Sequence, residues 1–380
     1  MKIVVNYRDT GIGHQIIDAW NSLVQSRCAD YANNVEYVFD PVDSVQDYNV
    51  SILCDYMPDL IDITVTSKYD LVLFCNGGEP LEVANPDMRE MLKRDNVYLI
   101  CNGLLTADHQ LRHKVIWFPD SVQSCRDYWT RHFYPQYFEN QLLQKLPRKQ
   151  LISCINGLNR INRKYFFDNL SLAVPELNLH SKINAGVVGE LLDCQWESTQ
   201  DTEFRQWVND NHDIVRNSTQ EENYYSQSPV IGIQNKFGSV PPGYFILPMY
   251  FESYCVVYPE TSWINNQLCV TEKALKCFYS GSLPMPISGA RVNQLYNQIG
   301  FATAWNLLPP HLQEFDTELD HRKRYQQLNQ AIAWLHDNPM VFQSDQFQQL
   351  VLQNKMNFLT CSCDYWAVEQ FDKLMQKHVK

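Results

Sequence analysis

The sequence of 380 residues contains no long apolar run and no excess of basic residues. No stretch reaches the roughly 20 apolar residues that a helix needs to cross a bilayer, which predicts a chain without a transmembrane segment. The formal net charge of −12 disfavours binding to nucleic-acid phosphates or to an anionic membrane surface. The apolar opening at Met1–Tyr7 is short and leads into polar residues, which favours a first β-strand over a signal peptide.

Signatures of metal binding and of disulfide bonding are also missing. The twelve cysteines form no C-x-x-C pair, and Cys361 and Cys363 have no second pair or histidine at ligand spacing. No D-x-D motif follows a strand of the C-terminal half, because the carboxylates of Asp210 and Asp213 stand three positions apart. The sequence therefore predicts unpaired thiols in a reducing, cytoplasmic setting, and neither a metal nor another cofactor.

What the sequence does contain is an alternation of strand-like and helix-like segments. The predicted strands are Ile3–Asn6, Val35–Phe39, Ile61–Val65, Leu71–Cys75, Val97–Cys101, Val115–Phe118, Leu151–Ile155, Tyr254–Tyr258 and Leu283–Ile287. Several are continuous apolar runs, typical of strands covered on both faces, and their alternation with helices predicts parallel sheets. Pro147 interrupts the pattern. The predicted fold class is α/β, with two doubly wound, Rossmann-like domains (1–147 and 148–380) facing across a cleft, and with C-terminal helices.

The first candidate site lies where a strand ends at Tyr258 and a helix begins at Thr271. We expect the intervening loop to carry Glu260 outward and the helix to place Glu272 and Lys273 in its first turn. Ligands of parallel sheets bind beyond the carboxyl ends of the strands, where a helix N-terminus offers free N–H groups to a phosphate. Lys273 adds a cation for a diphosphate, and either glutamate can accept hydrogen bonds from ribose hydroxyls. A plain capped helix also explains Glu272, but a lysine there opposes the helix dipole.

Two further turns carry candidate residues. The strand Leu151–Ile155 leads into a helix whose start bears Arg163 among other cations. Cations at a helix N-terminus oppose the helix dipole, and an anionic ligand would compensate their charge. A basic turn exposed to solvent explains the same residues. Glu79 follows the strand Leu71–Cys75 at a Gly-Gly turn, a suitable place for a general base. An ordinary surface glutamate fits the same residues, and Asp9 and Glu82 are competing carboxylates.

Taken together, these segments resemble the α-1,3-fucosyltransferases. The matching segments are Tyr254–Ser262 (YCVVYPETS), Val270–Lys273 (VTEK), Phe278–Gly289 (FYSGSLPMPISG), Arg163–Leu170 (RKYFFDNL) and Gly78–Glu79. The first three keep the order of that family's donor-binding signature, and the fourth resembles its arginine-headed helix. This chain departs from the signature at Thr261, where the family has Asn, and at Pro259, where it has Phe.

The resemblance implies a GT-B-type fold in a soluble form and an inverting glycosyltransferase that moves a sugar from a nucleoside-diphosphate donor to a glycan hydroxyl. GDP-fucose is the first candidate donor. Arg163 and Lys273 would contact the diphosphate without a metal, and Glu79 would be the base. The departures at Pro259 and Thr261 leave the nucleobase and the sugar open. Two alternatives remain: a non-catalytic module that binds a sugar nucleotide or a glycan, and a transferase of the same fold with another donor, such as a UDP-sugar.

Overall fold

The structure is a computed structural model, and its residues belong to two compact units. The first unit comprises Met1–Gln123, Gln267–Val270 and Cys361–Lys380, and the second comprises Ser124–Asn266 and Thr271–Thr360. The described residues are 2–7, 36–40, 50–54, 71–76, 86–118, 122, 125–126, 129, 148–156, 170, 174, 178–181, 248–260, 265–360 and 363–378. Pro147 lies outside them, so the predicted domain boundary stays a prediction.

A parallel sheet forms the centre of the first unit. The strands described in this part of the chain are β1 (Lys2–Tyr7), β2 (Glu36–Asp40), β3 (Val50–Cys54), β4 (Leu71–Asn76), β5 (Val97–Cys101), β6 (Gly103–Leu105) and β7 (Val115–Trp117). All except β6 join one sheet in the order β2-β1-β3-β4-β5-β7, and every neighbouring pair is parallel. Parallel neighbours need crossover connections, and helix α1 (Pro86–Leu92) lies in the connection from β4 to β5.

The second unit contains a parallel sheet of its own. Its strands are β8 (Gln150–Asn156), β9 (Asn178–Ser181), β10 (Ser253–Pro259) and β12 (Leu283–Ile287), in the order β12-β10-β8-β9. Helix α2 (Pro248–Glu252) precedes β10, and helix α3 (Glu272–Ser280) connects β10 to β12. The predicted α/β class with parallel sheets is therefore confirmed, and most predicted strands are found within one or two residues; Ile61–Val65 lies outside the described residues.

Four strands lie where the sequence predicts none: β3, β6, β9 and β11 (Gln267–Cys269). The sequence predicts a loop over Pro259–Gln267, but β11 follows and pairs antiparallel with β6 in the first unit. All three residues of β11 are buried. A strand of three residues is too short to show a periodicity of its own, so only its pairing with β6 reveals it.

The chain after β12 is mainly helical, as the sequence predicts. The helices are α4 (Val292–Gln298), α5 (Pro310–Gln313), α6 (His321–Asp337), α7 (Asp345–Thr360) and α8 (Cys363–His378). The last of them belongs to the first unit, where the backbone N–H of Trp117 in β7 donates to Oε1 of Gln370 at 3.1 Å.

The half-buried guanidinium of Arg148 joins the end of α3 to the start of β10. It donates to the carbonyl oxygens of Tyr250, Phe251, Ser253, Ser280 and Gly281. Gly281 ends α3 with a φ of 77°, a left-handed conformation that glycine adopts without a steric penalty. A Cβ at this position would also lie 3.1 Å from Nη2 of Arg148. The carboxyl end of α3 is thus anchored by structural contacts.

Candidate functional site

Glu260 lies directly beyond β10, at the carboxyl edge of the second parallel sheet. Its backbone N–H donates to the carbonyl oxygen of Ile287 at 2.9 Å, which extends the ladder between β10 and β12 by one residue. The residue is only 1% exposed. The expectation that the loop carries Glu260 outward is therefore wrong, because the ladder continues past the predicted end of the strand and the carboxylate is enclosed.

Both oxygens of the Glu260 carboxylate accept hydrogen bonds from neighbouring elements. Thr271 Oγ1 donates to Oε2 at 2.9 Å, and Tyr296 Oη donates to Oε1 at 3.3 Å. Burial raises the pKa of Glu260 to about 7, with a further increase from Glu272, although Lys273 and the two hydroxyl groups act in the opposite direction. At neutral pH this carboxyl group is consequently divided between its charged and neutral forms.

Thr271 is the N-cap residue of α3, as expected, but its hydroxyl group does not cap the helix. Its backbone is extended, with φ −96° and ψ 169°, and its side chain makes no hydrogen bond to the first turn. The hydroxyl donates to Glu260 instead. The first N–H groups of a helix have no intrahelical partner, and Thr271 satisfies none of them at the start of α3. The N–H of Glu272 bonds to the carboxylate of its own side chain, so the N–H groups that follow it in the first turn are the ones suited to an anion.

The first turn of α3 carries an acidic and a basic side chain side by side. Lys273 Nζ lies 3.5 Å from Glu272 Oε1, and the two side chains are 22% and 33% exposed, respectively. Burial raises the pKa of Glu272, but the lysines Lys273 and Lys276 outweigh it, so the pKa lies below its ordinary value. Glu272 is therefore a charged, partly accessible acceptor, and Lys273 is a partly accessible cation at a helix N-terminus.

Tyr296 is a residue of this site that sequence reasoning missed. It lies on α4 and is fully buried, and its hydroxyl group is also 3.4 Å from that of Tyr258. The helix is held in place by the buried carboxylate of Asp316, which accepts from the backbone N–H groups of Asn293 and Gln294 at 3.0 and 3.1 Å. A tyrosine among the apolar positions of a helix carries no sequence signal for such a contact.

The structure thus brings Glu260, Thr271, Glu272 and Lys273 together around the start of α3, within the second unit. Lys276 on the same helix is a further cation beside them, and its spacing of three residues from Lys273 was a signal that sequence reasoning did not use. Arg163 and Glu79 lie outside the described residues, so their places in the site stay predictions.

No helix within the described parts of the chain combines the length and apolar character that crossing a bilayer requires.

Comparisons with known proteins find similar solved structures but no match in sequence. No protein-family model matches the chain, and no curated protein sequence matches it. A solved α1,3-fucosyltransferase with GDP-fucose is similar over 99% of this chain and 90% of its own, at 11% identity and a TM-score of 0.48. A glycosyltransferase from Rickettsia africae ESF-5 is similar over 100% and 99%, at 10% identity and a TM-score of 0.44.

A third solved structure is an enzyme with a different reaction. It is a UDP-GlcNAc 2-epimerase from Neisseria meningitidis bound to UDP-GlcNAc, similar over 98% of this chain and 100% of its own, at 10% identity and a TM-score of 0.38. All these scores lie below 0.5, and likeness at this level assigns no activity to the chain.

Proposed function

We propose that the chain is a glycosyltransferase whose second unit binds a nucleoside-diphosphate sugar at the N-terminus of α3. The observation that carries this proposal is that Thr271, the N-cap residue, donates to the buried carboxylate of Glu260 and makes no side-chain hydrogen bond to the first turn of α3. Lys273 stands in that turn. A helix N-terminus with free N–H groups and a lysine is a site for phosphate groups.

The two glutamates of the site take different parts in this proposal. Glu260 is enclosed and already bonded to Thr271 and Tyr296, so we assign it a positioning role for the start of α3. Glu272 is one-third exposed and has a lowered pKa, which makes it the carboxylate suited to accept hydrogen bonds from ribose hydroxyls. The sequence left this choice between the two glutamates open, and their burial favours Glu272.

The proposed reaction is a single displacement with inversion, as the sequence resemblance to α-1,3-fucosyltransferases implies. A base takes the proton of the acceptor hydroxyl, whose oxygen forms a bond to the sugar C1 while the bond from C1 to the diphosphate oxygen breaks. We propose Glu79 as that base, and Arg163 with Lys273 as the cations that stabilise the departing diphosphate without a metal. The proposed donor is GDP-fucose, and the proposed acceptor is a glycan bound by the first of two facing GT-B-type domains. We further propose that the enzyme is soluble and cytoplasmic.

A screen of sugar nucleotides tests the donor assignment. GDP-fucose, GDP-mannose, UDP-glucose and UDP-GlcNAc are added singly, and the thermal unfolding of the full chain is followed. A true donor at 100 times its Kd stabilises the folded state by about 2.7 kcal/mol. The stabilising nucleotide is then incubated with a mixture of glycans, and transfer is measured by mass spectrometry. Stabilisation without transfer to any glycan favours the binding-module alternative, and the absence of stabilisation by every nucleotide contradicts the proposal.

A further inference from the structure

Lys276 is a buried cation in the second turn of α3 that the proposed reaction does not yet use. Lys276 is 8% exposed. Burial lowers the pKa of its ammonium group, and the negative charge of Glu272 raises it. Among the residues that the structure describes, no hydrogen-bond acceptor or ion-pair partner contacts its Nζ. By contrast, Lys114 in the first unit is similarly buried and donates to the carbonyl oxygens of Arg94 and Asp95 at 2.6 and 3.1 Å.

The position of Lys276 directs it toward the open end of the helix. It lies three residues after Lys273 and four after Glu272, so all three share one face of α3. Long side chains on a helix lean toward its N-terminus, which carries the ammonium group of Lys276 back toward the first turn. Its electrostatic interactions with both Glu272 and Lys273 agree with this placement.

Among the residues that the structure describes, the charges at this end of α3 do not balance. Lys273 and Lys276 contribute two positive charges, and the helix N-terminus adds the equivalent of about half a charge more. Glu272 supplies one full negative charge, and Glu260, with a pKa of about 7, supplies only part of another. A buried ammonium group beside a like charge is unfavourable unless an anion offsets it.

We infer, on the premise of the donor site proposed above, that Lys276 is a second diphosphate-binding residue, which holds one phosphoryl group of the donor while Lys273 holds the other. Two cations one helical turn apart can each contact a separate phosphoryl group of one diphosphate. Beside them lie the first N–H groups of α3, which receive no hydrogen bond from Thr271. The excess positive charge of these described residues is thereby offset when the donor binds, and the same two lysines stabilise the diphosphate as it leaves.

Calorimetric titration of inorganic pyrophosphate, GDP and UDP into the full chain tests this inference. Lys276→Gln removes the charge and should weaken binding of pyrophosphate and of the preferred nucleotide by about 10- to 100-fold, the range for a charge-assisted hydrogen bond. Lys276→Arg should retain most of the affinity. Lys149→Gln is the matched control, because Lys149 is an exposed lysine of the same unit that pairs with Glu252. It should bind like the wild type.

The outcomes separate this inference from the proposed function. If Lys276→Gln binds as the wild type does while Lys273→Gln is weakened, Lys276 is not in the site and the donor assignment stands. If the wild type binds neither nucleotide nor pyrophosphate, both ideas are overturned. An unchanged or raised Tm of unliganded Lys276→Met supports the inference, because a merely structural lysine would lower the Tm when it is replaced.

A second measurement covers variants that fail to fold. The wild-type chain is treated with formaldehyde and a hydride donor, and methylation of each lysine is followed by mass spectrometry with and without pyrophosphate. Pyrophosphate should slow the modification of Lys276 and Lys273 and leave that of Lys149 unchanged. Equal modification of Lys276 in the two samples would overturn the inference.

Discussion

Thr271 Oγ1 donates to Glu260 Oε2 at 2.9 Å, and this bond joins the end of β10 to the start of α3. An N-cap threonine ordinarily accepts a hydrogen bond from the first turn of its own helix. Here the hydroxyl group serves a buried carboxylate, and the helix start is left open. The same bond therefore fixes the end of a strand and leaves the first turn of α3 without a cap from Thr271.

Glu260 should make the stability of the chain depend on pH. Its pKa is about 7 in the folded state against an ordinary 4.5, so the unfolded state loses the proton first as the pH rises. The stabilising contribution of the protonated group is complete below about pH 4.5 and is lost by about pH 7; it amounts to about 3 kcal/mol at 1.36 kcal/mol per pKa unit. Glu260→Gln resembles the neutral form and should be the more stable protein at pH 8.

Urea unfolding of the wild type and of Glu260→Gln at pH 5 and pH 8 measures this effect. The difference in the free energy of unfolding between the two proteins should change with pH, because only the wild type carries the titrating group. Glu314→Gln, at an unrelated acidic position of the same unit, is a control that should follow the wild type. Parallel pH profiles for the wild type and Glu260→Gln would show that the carboxyl group keeps an ordinary pKa.

Lys273→Ala should weaken the binding of the nucleoside diphosphate by about 1.5–3 kcal/mol, the range for a hydrogen bond to a charged group. The lysine is only 22% exposed, so solvent screens its charge less than that of a surface residue. Binding of the parent nucleoside, which lacks phosphates, should be unchanged in the same calorimetric experiment. Equal losses for the nucleoside and its diphosphate would place Lys273 away from the phosphates.

Glu79→Gln should lower the turnover by about 100- to 10,000-fold, because it keeps the shape of the side chain and removes its basicity. The affinity for the donor should stay the same. Asp9→Asn and Glu82→Gln are the comparison variants, since these carboxylates compete for the same role in the sequence. Normal turnover in Glu79→Gln together with a large loss in Asp9→Asn would move the base to the loop after β1.

Arg148→Met should lower the free energy of unfolding by about 3–5 kcal/mol. The guanidinium group donates to five carbonyl oxygens, among them those of Ser253 and Gly281, and methionine leaves these acceptors unpaired. Arg322→Met, a replacement in the first turn of α6, is a control for the loss of an arginine. Urea unfolding measures both variants, and a loss below 1 kcal/mol for Arg148→Met would show that water replaces the lost donors.

The sequence predicts strands and helix starts well where a short stretch of residues carries the pattern that determines them. Continuous apolar runs such as Val97–Cys101 and Leu283–Ile287 are strands in the structure with the same bounds, since burial on both faces leaves a clear pattern. The start of α3 at Thr271 was also predictable, because a polar N-cap before an apolar helix is a local signal. The strand β11, which exists only through its pairing with β6, has no such signal.

The chemistry of the site, in contrast, was decided by tertiary structure. The sequence by itself determined that Glu260, Thr271, Glu272 and Lys273 surround a strand-to-helix turn. Only the fold decided that Glu260 is enclosed, that Tyr296 on another helix donates to it, and that Lys276 is buried beside Lys273. The reason is physical: residue type and spacing set which groups a turn carries, whereas burial and hydrogen-bond partners come from elements distant in sequence, and these set the charge that each group holds.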